Sequence, residues 1–361
     1  MPRNAAKIAL ARIALRNPVR DRLISRRQAV ARATLPRSPA LSLFVVPGFD
    51  LVNGGLISIQ AILEESRLRA NQDWKMHLVT PRSDPRVERF TKFPSERTVQ
   101  RIDDVLAYNG APDRLVIFVA EVACAQLVED LDWARRKGLL GRSVRVHVLL
   151  QNIDLLDQAS IRRLASQYRL TVSTAHERYA NAKLEADLGV PVRHLGVRVG
   201  PENYRPAPFA QRRNVMIVSP DAHPLRQDVL GRIARELPDI DLRVIRRLPY
   251  QEYLRVIREA KWALTFGEGL DGYLVETVFS GGVGFAAYND RFFTPDFREV
   301  PGIHADMADL GENIVKELRA WANEAQYASV QEAQFEVCAR HYQSQPFKDR
   351  LTSLLRDLDL L

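Results

Sequence analysis

Residues 41–46 read Leu41-Ser42-Leu43-Phe44-Val45-Val46, a short and nearly continuous apolar stretch whose pattern recurs along the 361-residue chain. The turn Pro47-Gly48 follows it, and a helix-like stretch then runs from about Leu56 to Arg69. Buried strands separated by helices are typical of a parallel sheet that is covered on both faces. Further along the chain, the same pattern predicts strands at Met76–Val79, Leu115–Val119, Val144–Leu150 and Leu170–Ser173, and helices at Ala125–Lys137 and Ile161–Gln167.

A second series of the same kind begins after a proline-rich stretch at 201–208. The sequence therefore predicts an α/β protein of two doubly wound domains joined near residue 200, with the active crevice at the carboxyl ends of their strands. The predicted strands of the second series are Asn214–Val218, Asp241–Ile245, Trp262–Phe266 and Gly284–Tyr288. Its predicted helices are Gln227–Glu236, Tyr250–Ala260, Leu274–Phe279, Ile314–Ala322 and Val330–His341.

Composition excludes several classes of protein. Hydrophobic residues make up 46% of the chain and charged residues 27%, as in ordinary folded domains, so a disordered or collagen-like chain is excluded. The two cysteines, Cys124 and Cys338, are far apart and form no CxxC pair, which argues against a disulfide framework or a structural zinc site. No apolar run reaches the roughly 18 residues that a membrane-spanning helix needs.

The positive charge is concentrated at the amino terminus. Residues 1–40 hold ten basic side chains and one acidic one, Asp21, whereas the remaining residues carry 42 basic and 43 acidic side chains. The net charge of +8 thus comes from residues 1–40, and it is poor support for nucleic-acid binding by the rest of the chain.

Three interpretations of residues 1–40 stay open. Ile8, Leu15 and Val19 share one helical stripe near Arg12 and Arg22, so the segment is weakly amphipathic and could contact an anionic membrane surface without inserting. It could equally be a frayed solvated arm, or an arginine-rich, acid-poor transit peptide. A secretory signal is disfavoured because arginines interrupt every apolar stretch.

The most informative motif for chemistry lies at 265–276, which reads TFGEGLDGYLVE and is followed by Ser280-Gly281-Gly282. Glu268 stands in a glycine-flanked loop after a predicted strand, and Glu276 lies eight positions later inside the next helix. A fully helical path would separate them by roughly 12 Å, enough to hold opposite ends of an extended ligand. A helix beginning near Asp271 would offer free backbone N–H groups and a positive dipole end to an anion between them.

This strand, glycine-rich loop, Glu-x7-Glu pair and small-residue turn resemble the donor site of retaining glycosyltransferases of the GT-B fold, in the large family four of nucleotide-sugar-dependent enzymes. The resemblance covers about residues 41–345. It implies two Rossmann-like domains facing a central cleft. It also implies that Glu268 is catalytic and contacts hydroxyls of the transferred sugar, and that Glu276 contacts the ribose of the nucleotide.

The resemblance extends the site along the chain. Asn53-Gly54-Gly55 resembles the glycine loop whose backbone approaches the donor phosphate, since glycine lacks a Cβ. An ordinary strand-to-helix turn is the alternative. The polar loop at Gln151 and Asn152 supplies candidates on the acceptor side. The implied donor-binding set is Gly54, Gly55, Arg226, Gly267, Gly269, Leu270, Asp271, Gly272, Tyr273 and Glu276.

The resemblance also implies a division of the chain. Residues 1–40 form the basic segment, 41–200 the N-terminal acceptor domain and 201–340 the C-terminal nucleotide-sugar donor domain. Residues 341–361 form a C-terminal helix that can cross back to the N-terminal domain.

Three features depart from the family. An Arg and a Lys commonly follow the first strand of the second domain and neutralise the diphosphate, whereas this chain offers only Arg226 and His223 there, with Arg246 and Arg247 after the next strand as other suppliers. The family's histidine near the sugar is replaced by the loop at 151–154, and His147 is expected to be a packed residue of its strand. No metal-ligand spacing is present, so a metal-independent reaction with no cofactor besides the nucleotide-sugar co-substrate is expected.

The implied function is a hexosyltransferase-like transfer from a nucleotide-diphosphate sugar to a saccharide or lipid-linked acceptor, with retention, in surface glycan biosynthesis. A cytoplasmic location with peripheral contact at the inner membrane face is expected, and no nucleic-acid partner. Two alternatives stay open. The missing cationic pair motivates an inactive GT-B-like protein that binds a nucleotide or saccharide, and a nucleotide-sugar hydrolase or epimerase on the same fold is the other.

Overall fold

The computed structural model describes residues 17–33, 37–49, 54–90, 98–246 and 248–361. The chain divides into two compact units, the first formed by residues up to Val197 together with Pro346–Leu361, the second by Arg198–Gln345. The sequence placed these divisions at 200 and 340. In the described ranges, every helix is too short or too polar to cross a bilayer.

The first unit is built on a sheet that has seven strands within the described residues, in the order β3-β2-β1-β4-β5-β6-β7, all parallel. This order places the topological switch point between β1 and β4. The strands are β1 Ala40–Val45, β2 Lys75–Thr80, β3 Gln100–Arg101, β4 Arg114–Ala120, β5 Ser143–Leu150, β6 Arg169–Thr174 and β7 Val192–His194. The helices are α1 Pro18–Ala33, α2 Gly54–Arg69, α3 Ile102–Asn109, α4 Cys124–Arg136, α5 Gln158–Gln167 and α6 Ala182–Leu188.

The last helix of the chain, α12 (Ser344–Asp357), completes the core of this first unit. Phe347, Leu351 and Leu355 join the same buried cluster as Phe44 and Phe118, whose rings stack 4.6 Å apart on neighbouring strands. The polypeptide therefore passes through the second unit and then returns to the first.

The second unit is built on a sheet with five parallel strands in the described part of the chain, in the order β12-β11-β10-β8-β9. Its switch point lies between β8 and β10. The strands are β8 Arg213–Val218, β9 Asp241–Val244, β10 Ala260–Leu264, β11 Val283–Ala287 and β12 Ile303–His304. The helices are α7 Arg226–Glu236, α8 Tyr250–Glu259, α9 Gly272–Phe279, α10 Met307–Ala320 and α11 Glu324–His341.

Alternate residues of β8 enter different cores. Met216 and Val218 pack with the cluster under α7 and α10, whereas Val215 and Ile217 pack with the cluster under α8. A strand whose two faces are both covered buries every position, which is why the predicted strands read as apolar runs.

The alternation predicted from the sequence is confirmed, with some boundaries corrected. The strand predicted at 262–266 ends at Leu264, because the N–H of Phe266 donates to Ser219 Oγ at 3.0 Å and leaves the sheet ladder. The helix predicted from Ile314 begins at Met307, because Asp306 Oδ1 caps it by accepting from the N–H groups of Ala308 and Asp309 at 2.8 and 2.9 Å. The short strands β3, β7 and β12 were not predicted.

The interpretation of the amino-terminal segment as a frayed arm is wrong for residues 18–33, which form α1. Gln28 is buried there and its Nε2 donates to the carbonyls of Val87 and Val99. Residues 1–16 lie outside the described residues. His147 is fully buried and shares hydrogen bonds with Thr171 and Ser173, as expected of a packed residue.

Candidate active site

Two loops of the second unit meet at the switch point of its sheet. The loop 219–225 follows β8, and the loop 265–271 follows β10, the strand paired directly with it. Ligands of open α/β sheets bind outside the carboxyl ends of the strands at such a point. The local contacts confirm that the loops adjoin, since a Cβ placed on Gly267 would lie 2.8 Å from Asp221 Cγ.

Asp271 begins the helix that carries the second glutamate. Its Oδ1 accepts from the N–H of Leu274 at 3.2 Å, and its Oδ2 accepts from Thr265 Oγ1 at 2.9 Å. Burial and, to a smaller extent, the charges of Asp221 and Glu268 raise the pKa of Asp271 to about 7, against the opposing effect of these two hydrogen bonds. The predicted helix start near Asp271 is confirmed. The backbone N–H groups in the first turn of α9 have no acceptor within the helix, because the intrahelical hydrogen bonds begin one turn later.

Gly269 permits the tight path of the loop before α9. Its φ is +82°, in the left-handed region, and a Cβ there would lie 2.6 Å from Phe293 Cε2 and 2.8 Å from the carbonyl oxygen of Ala287. Only glycine fits both the conformation and the space. This residue fixes the position of Glu268 beside it, which is partly exposed.

Glu276 is buried, with 6% of its surface exposed. Its Oε1 turns back one helical turn, since a Cβ on Gly272 would lie 3.1 Å from it, and its Oε2 has no hydrogen-bond partner among the described residues. Burial raises the pKa of Glu276 to about 8; the hydroxyls of Tyr204 and Tyr253 act against that shift, while the charge of Asp271 adds to it. The carboxyl group is therefore mostly protonated at neutral pH.

Tyrosines surround this carboxyl group. Tyr253 donates its hydroxyl to the carbonyl of Gly272 at 3.1 Å, and its ring lies 5.9 Å from that of Tyr273 and 6.0 Å from that of Tyr250. Burial, followed by the negative charge of Glu276, raises the pKa of Tyr204, Tyr250 and Tyr253 above the ordinary tyrosine value. These phenols stay neutral and offer hydroxyl groups and aromatic faces to the site.

Arg226 stands at the first position of α7, next to the same loops. Its Nη1 donates to the carbonyls of Ser219 and Asp221 at 2.6 and 3.0 Å, and its Cζ lies 4.9 Å above the Phe266 ring. The residue is only 7% exposed, yet its Nη2 finds no acceptor within the part of the chain that the structure describes. A buried guanidinium N–H without an acceptor is costly, and an anionic oxygen would satisfy it.

The charges at this edge are mixed. Arg246 is exposed after β9 and close enough to Arg226 to lower the pKa of that guanidinium, in addition to the larger effect of burial. Asp221, Glu268 and Asp271 bring negative charge to the same loops. The partial protonation of Asp271 and Glu276 reduces the repulsion that an anionic ligand would meet.

Most of the predicted donor residues come together here. The predicted site residues at this edge of the sheet are Arg226, Gly267, Glu268, Gly269, Leu270, Asp271, Gly272, Tyr273 and Glu276. The side chain of Leu270 is buried, so only its backbone can reach a ligand.

The other predicted residues belong to the first unit. Gly54 and Gly55 begin α2, whereas Asn53 lies outside the described residues, as does Arg247 of the second unit. Gln151 and Asn152 follow β5, and their backbone N–H groups donate to the two carboxylate oxygens of Glu121 at 3.1 Å each. Glu121 thereby fixes the loop that carries the acceptor-side candidates.

Sequence reasoning missed Asp221, Thr265, Tyr250 and Tyr253 as parts of this site. Tyr250, Tyr253 and Ile257 follow the three-to-four spacing of an amphipathic helix, which indicates burial and gives no sign of Glu276. Only the spatial meeting of α8 with α9 reveals them. Within the described ranges, no three His, Cys, Asp or Glu side chains converge as metal ligands would.

Comparison with known proteins bears on the fold. No protein-family model matches the sequence, and no curated protein matches it. Among solved structures, HepE from Anabaena in complex with UDP and glucose is 11% identical, with a TM-score of 0.58 over 88% of this chain and 100% of that one. An alpha-glucosyltransferase in complex with UDP and a mismatched DNA is 13% identical, with a TM-score of 0.55 over 89% and 99%. The alpha,alpha-trehalose 6-phosphate synthase from Burkholderia multivorans is 10% identical, with a TM-score of 0.54 over 90% and 99%.

The chain has the GT-B fold. Two Rossmann-like units with parallel sheets, and the match to these glycosyltransferase structures over nearly their whole length, confirm the fold class predicted from the sequence. At these identities the likeness concerns the fold, and the activity is argued from the site.

Proposed function

We propose that this protein is a glycosyltransferase that binds a nucleotide-diphosphate sugar at the switch point of its second unit and transfers the sugar to a saccharide or lipid-linked acceptor. The observation that carries the proposal is a pair of unsatisfied polar atoms at one sheet edge. Arg226 Nη2 is a buried cationic donor, and Glu276 Oε2 is a buried carboxyl oxygen. A ligand with an anionic oxygen and a hydroxyl group would satisfy both, and a nucleotide sugar offers both.

In this proposal each group has one task. Arg226 and the first turn of α9 bind the diphosphate, with Arg246 supplying long-range attraction. Glu276 and the surrounding tyrosines hold the ribose, and Glu268 holds the hydroxyls of the transferred sugar. The first unit offers Gly54, Gly55 and the Gln151-Asn152 loop held by Glu121 as candidates for contacts to the phosphate and the acceptor. HepE has been solved in complex with UDP-glucose and with UDP and glucose, which supports this class of donor.

The proposed reaction proceeds with retention and without a metal ion. The bond between the anomeric carbon and the diphosphate oxygen breaks, and the leaving diphosphate takes the proton of the acceptor hydroxyl as the new glycosidic bond forms on the same face. Arg226 and the dipole of α9 stabilise the negative charge that develops on the leaving group. We place this activity in the cytoplasm and in the synthesis of a surface glycan.

Binding is the first test. We expect calorimetry against UDP, GDP, ADP and dTDP sugars to show binding of at least one donor, and Arg226→Gln to weaken it about 10- to 100-fold, since a charge-assisted hydrogen bond is lost. Arg232→Gln is the matched control because Arg232 is on the same helix but pairs with Glu236 at 3.0 Å. A chain that binds no nucleotide sugar, or equal losses in both variants, would contradict the proposal.

Turnover is the second test. We expect Glu268→Gln to abolish transfer while the unfolding curve is unchanged, because Glu268 is partly exposed. Product analysis with and without acceptors separates the alternatives: acceptor-independent hydrolysis or epimerisation indicates a hydrolase or epimerase, and binding without turnover indicates an inactive binding protein. Unchanged transfer in Glu268→Gln would refute the role given to this residue.

A further inference from the structure

Helix α1 packs on the first unit through a polar face. The buried positions Ile24, Gln28 and Arg32 recur every four residues. Gln28 Nε2 donates to two backbone carbonyls, and Arg32 Nη1 pairs with Asp104 at 3.1 Å. These contacts fix the helix and determine which of its faces points outward.

The outward face carries the apolar residues. Val19, Leu23 and Val30 are 69%, 54% and 71% exposed, and they are three of the seven exposed large hydrophobic side chains within the described residues. At about 100° per residue the three lie within about 40° of one another, and about 160° from the centre of the buried stripe. The helix therefore reverses the usual arrangement, in which the apolar face is buried.

Arginines flank this apolar stripe on both sides. Arg22 and Arg26 lie along one edge and Arg20 and Arg27 along the other, and all four are exposed. Arg27 also pairs with Glu88 at 3.1 Å, so its charge is partly balanced, whereas the one acidic residue of the helix, Asp21, lies toward the buried side. We call the surface formed by these seven residues, three apolar and four basic, the α1 outer face. Leu68, 78% exposed, lies on the last turn of α2, and Arg67 of that turn lines a cavity together with Ala31 of α1.

We propose that the α1 outer face binds the surface of an anionic lipid bilayer, with the helix lying in the plane of the interface. Apolar side chains in the acyl boundary and arginines at the headgroups are what an interfacial helix requires. At 16 residues the helix is about 24 Å long, too short to span the hydrocarbon core. A nucleic acid would use the arginines but would leave the exposed valines and leucine in water, so the apolar stripe favours lipid. This inference is independent of the proposed glycosyl transfer.

Flotation of the full chain with vesicles tests it. We expect binding to vesicles of phosphatidylcholine with about 30% phosphatidylglycerol, and little binding to phosphatidylcholine alone. Combined Arg20→Gln, Arg22→Gln and Arg26→Gln should reduce partitioning about 100-fold, from about five-fold per charge. Combined Val19→Ser, Leu23→Ser and Val30→Ser should reduce it by more than about ten-fold. All six positions are exposed, so both triple variants should retain the wild-type unfolding curve.

The control replaces exposed apolar side chains elsewhere, Leu155→Ser with Val244→Ser, and should bind as the wild type does. Equal binding to neutral and anionic vesicles, or no binding to either, would overturn the proposal. So would an apolar triple variant that binds undiminished. Salt-sensitive retention on duplex DNA that is indifferent to the apolar triple would assign the surface to nucleic acid, and a soluble dimer lost in that triple would assign it to a second copy.

Discussion

The buried carboxyl of Glu276 makes the stability of the second unit depend on pH. Its pKa is 4.5 in an ordinary environment and about 8 in the folded chain, because burial disfavours the charged form. Between these pH values, Glu276 carries a proton in the native state that it has lost in the unfolded state. Stability therefore falls as pH rises through this window and levels off above about pH 8.

The size of the effect follows from the shift. Each pH unit in the window costs about 1.4 kcal/mol, so Glu276 lowers the free energy of unfolding by about 2–3 kcal/mol between pH 5 and pH 7. Glu276→Gln keeps the shape of the side chain and removes its titration. We expect the stability difference between the variant and the wild type to grow in favour of the variant by this amount over that range.

Urea unfolding at fixed pH values, followed by tryptophan fluorescence, measures this slope. Trp262 and Trp321 lie in the second unit, so Trp74→Phe and Trp133→Phe in all proteins restrict the signal to it. Glu312→Gln, at an exposed carboxylate of the same unit, is the control, and its curve should parallel the wild type. Parallel curves for Glu276→Gln and the wild type would refute the assignment of a raised pKa to this residue.

Three other outcomes are expected. Gly269→Ala should destabilise the second unit by about 1–3 kcal/mol, because φ is +82° and the new Cβ would meet Phe293. The control Gly231→Ala, inside a helix with open space around it, should stabilise the unit by up to about 1 kcal/mol, and urea midpoints that move alike in both variants would contradict this. Glu121→Gln should lower the free energy of unfolding of the first unit by about 1–3 kcal/mol, because one backbone N–H after β5 loses its acceptor. An unchanged urea midpoint would contradict the role of Glu121 in fixing this loop. UDP-glucose should bind about five-fold more tightly at pH 6 than at pH 8, a range in which neither its diphosphate nor its uracil ring titrates, because protonation of Asp271 and Glu276 removes negative charge. Calorimetry that shows a flat or rising affinity would exclude this coupling.

Local sequence patterns determined much of the fold. The alternation of apolar runs and helical periods predicted both parallel sheets, because a buried strand and its covering helix each have a pattern that neighbouring residues determine. The helix start at Asp271 was equally accessible, since an N-cap depends on residues within one turn. The short strands β3 and β7 were not predicted, because two or three residues are too few to show a periodic pattern of apolar side chains.

Tertiary structure decided what depends on residues far apart in the chain. The raised pKa of Glu276 results from its burial in the folded second unit, against the opposing effect of the hydroxyls of Tyr204 and Tyr253. The unsatisfied Nη2 of Arg226 results from contacts that only the folded loops create. Composition marked residues 1–40 as basic, but which face of α1 is exposed follows from the hydrogen bonds of Gln28 and the Arg32–Asp104 pair. Burial and electrostatic environment are sums over neighbours in space, which a linear pattern does not contain.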